Sequence, residues 1–421
     1  MSASPCIRGF SGSAPPAPAF SAMIPNTRAT TNSRVTRLPG RGCDGGGRGQ
    51  EANTRIAALL LAGGLSIAAV ACSGGGAPAS PSPGTQATQP DEVYGLLSVL
   101  AAESMMGRAT GEPGALKAAT VIAREMQRAG LEAAGDSGWF QRVPVAIVSR
   151  TVNRNGQQQT IERIGLLQDF ASLDTIPAAR RRRAVNVVGV LKGGDPQLAG
   201  EYILIDAHYD HVGVRANPAG GDSIFNGADD DASGVVAVLE IAKAMARGPA
   251  PRRTLVFAAT TGEEVGLLGT NWYIQHPVIP LDRMAANLEI EMIGRPDSLA
   301  GGPGRAWLTG YERSTMGDML ASNGIPIVPD RRPDQRFFQR SDNIAFARMS
   351  IPAHTLSSFN LHSDYHRPGD EVEKTDPRHM ASVIDAAIRA VRLLADGPKP
   401  EWKPRGRPCR PGEEPERDNC S

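Results

Sequence analysis

The sequence predicts a three-layer α/β/α sandwich around a mixed, largely parallel central sheet, and three observations carry that expectation. Residues 185–191, 202–206 and 254–259 are near-continuous apolar runs rich in Val, Ile and Leu, as strands buried on both faces require. Segments with helical spacing alternate with them, which is the order of a sheet covered by helices on both sides. Clusters of His, Asp and Glu stand at the ends of these strands, and in open α/β sheets ligands bind beyond the carboxyl ends of the strands.

Each element follows from its own pattern. Residues 90–103 place Val93, Leu96, Leu97, Leu100 and Ala101 at helical spacing, and 107–111 read as a loop. A second helix over 113–129 carries Leu116, Ala119, Ile122, Ala123 and Met126 on one face, and Gly130 closes it. Residues 139–148 and 158–167 read as strands around the hairpin signal Asn155-Gly156. The arginine run 180–183 is expected to be a solvated loop. After the core strands 185–191 and 202–206, a helix is expected over 233–247 with Ser233 as a candidate cap. Then come a buried strand at 254–259, a helix at 267–276, a strand at 287–293, a helix at 313–322 and a short strand at 353–357. Asp376-Pro377 opens the last helix, whose stripe is Val383, Ile384, Ala387, Ala390 and Leu394, with Gly397 after its end.

The 421 residues suffice for one large domain or two ordinary ones, and the net charge of +1 points neither to nucleic acid nor to an acidic polymer. Residues 1–54 read as a disordered extension or an upstream start, being rich in Gly, Pro, Ser and Arg without apolar periodicity. Residues 55–72 carry Arg55, then an apolar run too short at about 16 residues to span a bilayer, then Ala69-Val70-Ala71-Cys72. That is the plan of a secretory signal, and its end is similar to a lipoprotein cleavage box with Cys72 as the lipidated residue. The expected protein is exported and touches a membrane only through that anchor; the alternative is a signal peptide cleaved at small residues. Residues 73–89 read as a Gly/Pro/Ser/Thr tether, 90–398 as the folded domain and 399–421 as a polar tail. Of the five cysteines, Cys6 and Cys43 precede the signal, and Cys409 and Cys420 in the tail most simply form a local disulfide. None lies near the His/Asp/Glu clusters, which argues against a thiolate site or a cysteine nucleophile.

Those clusters carry the chemistry. His208 is a natural metal ligand as neutral imidazole, and Asp210 can take its other ring N–H; alone, such a pair is more often a satisfied surface contact. Asp229, Asp230 and Asp231 precede a helix, where its dipole favours acids, yet three adjacent carboxylates repel and a dication would relieve them. Glu263 and Glu264 follow a buried strand, and adjacent side chains there point different ways, so one can bind metal while the other reaches a water. Glu291 is expected inside an apolar strand, where an unpaired carboxylate is costly. Residues 362–370 supply a late histidine, His366. Imidazoles and carboxylates in sequence-distant clusters are the ligand set of a zinc hydrolase.

Taken together these motifs resemble the M28 family of zinc aminopeptidases. They are His208-x-Asp210, the glycine-flanked acidic run 227–234, Glu263-Glu264-x-Gly266-Leu267-x-Gly269-Thr270, Glu291-Met292-Ile293-Gly294 and Tyr365-His366-x-Pro368-x-Asp370, in that order, within a match spanning residues 91–396. The resemblance implies two zinc ions bridged by Asp230, one completed by His208 and Glu291, the other by Glu264 and His366. It makes Glu263 the general base and peptides the substrates. Two positions depart from the family pattern: Glu291 stands where Asp is usual, and Ser341-Asp342-Asn343 resembles an S-D-H motif with Asn in place of His, a change expected to bear on the cleft. A carboxypeptidase or other amidohydrolase of the same fold is the alternative activity. A glutaminyl-cyclase-like transferase works with a reduced zinc site, and a catalytically inactive binding domain would be expected to lose ligands or the base, whereas here all six positions are present.

Overall fold

The structure is a computed structural model that describes residues 87–154, 157–216, 221–410 and 412–415. The expected extension, signal, lipidation site Cys72 and most of the tether lie outside the described residues, as do Cys420 and the Asn155-Gly156 turn. No helix among the described residues is long and apolar enough to cross a membrane. Cys409 is disulfide-bonded.

In chain order the elements are α1 (Pro90–Leu100), α2 (Pro113–Arg128), β1 (Glu132–Ala133), β2 (Phe140–Arg154), β3 (Gln157–Leu166), α3 (Phe170–Asp174), β4 (Arg181–Leu191) and β5 (Tyr202–His208). They continue with β6 (Gly213–Val214), β7 (Ile224–Phe225), α4 (Gly234–Arg247), β8 (Thr254–Thr260), α5 (Leu268–Gln275), β9 (Met284–Ile290) and β10 (Ala306–Leu308). The last are α6 (Thr315–Ser322), β11 (Ile327–Pro329), α7 (Asn343–Arg348), β12 (Ala353–Ser357) and α8 (Pro377–Asp396). The main sheet runs β11-β10-β12-β9-β5-β8-β4-β2-β3, with β1 paired to β4. Its centre, β12-β9-β5-β8, is parallel, while β4, β2 and β3 extend one side in antiparallel fashion.

Alternation along the central strands sorts their side chains into two layers. Ile203, Ile205 and Ala207 of β5 and Leu255, Phe257 and Ala259 of β8 join α1, α2, α4, α6 and α8 in the larger core. Tyr202 and Leu204, with Val256 and Ala258, face the other way, against Tyr273 of α5 and Ile344, Phe346 and Ala347 of α7. Every residue of β5, β8 and β9 is buried, which is why these strands read as continuous apolar runs rather than alternating ones. The helices keep the local rules. Pro113 opens α2, which buries Ala115, Ala118, Ala119, Ile122 and Met126. The Asp376 carboxylate caps α8 by accepting from the Arg378 and His379 amides.

Three local expectations are corrected. The arginine run is not a loop: Arg181, Arg182 and Arg183 begin β4 and pair with β2 opposite Ala146, Val145 and Pro144, the alternation of strand leaving their heads near solvent. Ser233 does not cap α4; its backbone is already helical, and its hydroxyl donates to the Asp229 carbonyl while accepting from the Ile293 amide. The tail is partly docked, with the Trp402 indole donating to the Ser350 carbonyl and the Lys403 amide to the Arg313 carbonyl.

One buried cation organises the edge of the sheet where β5 ends. Arg108 is 1% exposed. Its guanidinium donates to the carbonyls of Leu100, Tyr209, Asn226 and Gly227 at 2.5–3.0 Å. It thereby ties the chain after β5 to the acidic run before α4. Arg108→Ala would leave these four carbonyls without their donor, and each buried orphan costs about 1–3 kcal/mol. The variant should lose at least about 3 kcal/mol in urea unfolding of the metal-free protein. A loss below about 1 kcal/mol would show that water replaces the guanidinium at no cost.

Candidate metal centre

The functional side chains come from five places along the carboxyl edge of the parallel strands. His208 is the last residue of β5. Glu263 and Glu264 follow β8, and Glu291 follows β9 by one residue. Asp230 sits in the irregular turn 228–233 before α4, and His366 in the long connection after β12. Gly227 makes that turn possible. Its φ is +57°, and a Cβ there would stand 2.2 Å from the Asp230 carbonyl and 2.5 Å from the His211 ring.

Of the three adjacent aspartates only Asp230 faces the cluster. Asp229 accepts from the Gly294 amide at 2.6 Å and meets His362 Nε2 at 3.0 Å. Asp231 accepts from the Gly234 and Met292 amides at 3.0 and 2.9 Å. Asp370 in turn accepts from the amides of Asp229 and Asp230. The outer two acids and Asp370 therefore hold loops, and Asp230 is left with its carboxylate free to face three imidazoles. Its oxygens lie 3.4 Å from His208 Nε2, 3.0 Å from His366 Nε2 and 3.7 Å from His211 Nδ1.

Two groups of ligand atoms meet at Asp230, each confined within 4.8 Å. One is His208, Asp230 and Glu291; the other is His211, Asp230, Glu264 and His366. Glu263 belongs to neither, but it lines the cleft beside them. The resemblance did not include His211. The signal was present in the run His208-x-Asp210-His211, whose second histidine follows the first by three residues.

Asp210 does not act as expected. The His208 Nδ1 position contacts the main-chain carbonyl of Asp210 at 3.1 Å, with the carboxylate 3.9 Å away. That carboxylate accepts instead from the Thr110 hydroxyl at 2.7 Å and from the Glu263 amide at 3.2 Å. Asp210 thus fixes the His208 ring through its backbone and the Glu263 backbone through its side chain. Glu291 is likewise not inside a strand. The strand carboxylate is Glu289, fully buried and satisfied by the Ser341 and Thr355 hydroxyls and by the amides of Asp342 and Asn343. Asn343 is occupied there and at the Phe338 carbonyl, so it does not line the cleft.

The electrostatics are those of a site that wants cations. Burial pushes the Glu263 carboxyl well above the ordinary range, and neighbouring Glu264 and Glu291 add to the shift. Burial and Glu289 push Glu291 up to about 8. Burial opposes ionisation of Asp230 too, but the three surrounding imidazoles hold it well below the usual carboxylate range. Burial would lower the pKa of His366, yet Asp230 and Glu264 outweigh it and raise the imidazole to about 10. The buried His208 Nε2, His211 Nδ1 and Glu264 Oε1 make no hydrogen bond. Orphaned nitrogens and carboxylate oxygens converging in this way fit zinc, whose usual ligands are these two kinds of atom. The cleft is lined by Asp230, Glu263, Glu291 and His366 together with Met292, Trp307, Phe337, Phe359 and Tyr365 and the polar Thr309, Arg340 and Ser357.

The chain is similar to known peptidases in sequence and in fold. Residues 186–391 match the family described as peptidase family M28. A probable leucine aminopeptidase 2 of Aspergillus oryzae is 30% identical over 238 residues, covering 50% of this chain and 44% of the relative. A vacuolar membrane protease of Lachancea thermotolerans is 38% identical over 217 residues, covering 50% of this chain and 20% of the relative. The chain therefore spans less than half the length of these two relatives. Among solved structures, BSAP, a zinc aminopeptidase from Bacillus subtilis, superposes with a TM-score of 0.52 at 16% identity, covering 74% of this chain and 96% of that one. The aminopeptidase from Aneurinibacillus sp. strain AM-1 gives 0.50 at 17%, covering 74% and 95%. At such identities the likeness establishes the fold, a mixed sheet with flanking helices as expected.

Because a ligating imidazole must be unprotonated, metal loading is coupled to proton loss. In the metal-free protein His366 holds its proton up to about pH 10 and Glu291 up to about 8. Zinc binding at pH 7 should therefore release protons, and apparent affinity should climb as pH rises toward 10. Calorimetry in buffers of different ionisation enthalpy measures the release directly. Binding heats independent of the buffer would mean that the ligands are already unprotonated.

Proposed function

We propose, from the match of residues 186–391 to peptidase family M28, that this chain is a zinc-dependent exopeptidase that releases N-terminal residues from peptides with two zinc ions and Glu263 as general base. The observation that carries the reading is the position of Asp230, shared by two ligand groups, with Glu263 in the cleft but in neither group. The printed names of the relatives, aminopeptidase and protease, support the reaction class.

His208, Asp230 and Glu291 would hold one ion, and Asp230, Glu264 and His366 the other. Bound there, zinc supplies Lewis acidity that activates a water and polarises a carbonyl. Glu263 takes the proton of the attacking water and passes it to the departing amine. Its backbone amide is anchored on Asp210, so the carboxylate is presented from a fixed base. Glu264, its neighbour in the turn after β8, points into the ligand group of His211 and His366 instead. Glu291 reaches the other group, that of His208 and Asp230, from beyond the end of β9, where the extra methylene relative to Asp is accommodated without a strand position to satisfy. Glu289, the other acid of this segment, has its oxygens committed to four donors.

Glu263→Gln keeps size and polarity but cannot accept the proton. It should retain zinc while kcat falls by about 10²–10⁴, the usual contribution of general acid–base catalysis. Glu264→Gln should instead lose zinc affinity and recover in part with added metal. A Glu263→Gln enzyme that is zinc-poor and restored by excess zinc would exchange the two roles. The direction of attack is tested separately with free-amine peptides and their N-acetylated counterparts on the purified protein. Only the free-amine set should be trimmed, one residue at a time from the N-terminus. Release from the C-terminus, or equal cleavage of blocked peptides, would make the enzyme a carboxypeptidase or a broader amidohydrolase.

A further inference from the structure

We infer that His211 is a fourth protein ligand of the zinc held by Glu264 and His366, so that the two metal positions are unequal, one closed and one open. The inference rests on the two-zinc reading above and deepens it.

His211 is 2% exposed, and neither ring nitrogen makes a hydrogen bond. Its Nδ1 nevertheless lies 2.8 Å from Glu264 Oε1. The two atoms are thus within reach of one ion, together with Asp230 and His366. His366 Nε2 behaves as a counterpart, 3.1 Å from the same Glu264 oxygen and 3.0 Å from the Asp230 oxygen that His211 Nδ1 faces. The two imidazoles stand edge to face, with ring centroids 5.5 Å apart and planes at 70°. Two rings whose nitrogens share both carboxylate partners are aimed at a common point between them. A buried imidazole nitrogen with no partner is costly, and a cation at that point satisfies Nδ1.

The backbone places the ring there deliberately. The His211 amide donates to the Arg108 carbonyl at 3.3 Å, in a bridge that pairs His211 with Ala109. Gly227 lies against the ring so closely that any side chain would displace it. The same arginine that joins the two loops therefore also sets the histidine against Asp230.

The consequence is an asymmetric pair. His211, Asp230, Glu264 and His366 form a two-His, two-carboxylate set, which can fill a tetrahedral zinc from protein alone, as structural sites do. His208, Asp230 and Glu291 supply three ligands and leave a position open, as catalytic sites do. The position with His211 should fill first and hold its metal longest.

The test uses the full chain, labelled with 15N in its imidazoles and loaded with 113Cd as the metal probe. Counting cadmium–nitrogen couplings by NMR reports ligation without any activity assay. One cadmium coupled to two imidazoles and a second coupled to one is the expected result, with one coupling of the first lost in His211→Gln. Two cadmium ions each coupled to a single imidazole overturn the inference and leave the two-metal reading intact. A single bound ion coupled to two imidazoles, one of them lost in His211→Gln, keeps His211 as a ligand but sinks the two-metal reading and the asymmetry with it; no uptake sinks both. In the variant, affinity at the first site to fill should fall by more than the ~10–100-fold that losing an outer hydrogen bond costs. A smaller fall would show that His211 only orients Glu264.

Discussion

Like charge held at close quarters is the constraint on which this structure turns. Asp230, Glu263, Glu264 and Glu291 meet at one edge of the sheet, with Glu289, Asp206 and Asp342 packed in the layer behind. Without cations the group can persist only by taking up protons, which is what the raised carboxyls of Glu263 and Glu291 and the protonated His366 express. Metal ions remove the need for those protons. Affinity for metal, proton uptake and the integrity of this edge are thus one equilibrium viewed from three sides.

The acids also divide their labour by what their oxygens touch. Asp229, Asp231, Glu289 and Asp370 accept from backbone amides on neighbouring loops, and a carboxylate so satisfied is a structural tie. Arg108 does the converse, giving its donors to backbone carbonyls of the loops that carry His211 and Asp230. Loops have no ladder to hold them, so charged side chains do that work here, and the ligands inherit their positions from it.

How much of this could be read beforehand depends on the range of the interaction. The parallel strands were legible because full burial leaves an unbroken apolar run, as in β5 and β8. Of the seven site residues named in advance, His208, Asp230, Glu264, Glu291 and His366 fall into the two ligand groups, and Glu263 lines the cleft. Their motifs place them at strand ends, where position follows from the ladder. What misled was local chemistry without a local partner. The arginines of β4 read as a loop because their strand partner, β2, lies some forty residues earlier. The carboxylate of Asp210 was assigned to His208, its neighbour in sequence, but is taken by Thr110 and Glu263, distant in sequence and near in space. His211 was passed over although it stands three residues after His208, because only the fold brings it to Asp230, Glu264 and His366.

The aromatic part of the cleft lining shows the same limit from the side of specificity. Met292 follows β9, Trp307 lies on β10, Phe337 precedes α7, and Phe359 and Tyr365 follow β12. Trp307 and Phe337 stack with centroids 5.0 Å apart, and Phe359 and Tyr365 sit beside them. Four segments distant in sequence thus bring their aromatic rings together beside Arg340, whose guanidinium lies over Phe337, an arrangement that no periodicity within any of them announces. Burial of an aromatic or aliphatic side chain against such a surface is worth about 1.5–3 kcal/mol, roughly a hundredfold at the upper end. In the proposed reaction the metal side treats every peptide bond alike, because it meets only backbone atoms. In that reaction, discrimination among residues falls to the rest of the lining, where aromatic rings stand beside Thr309, Arg340 and Ser357.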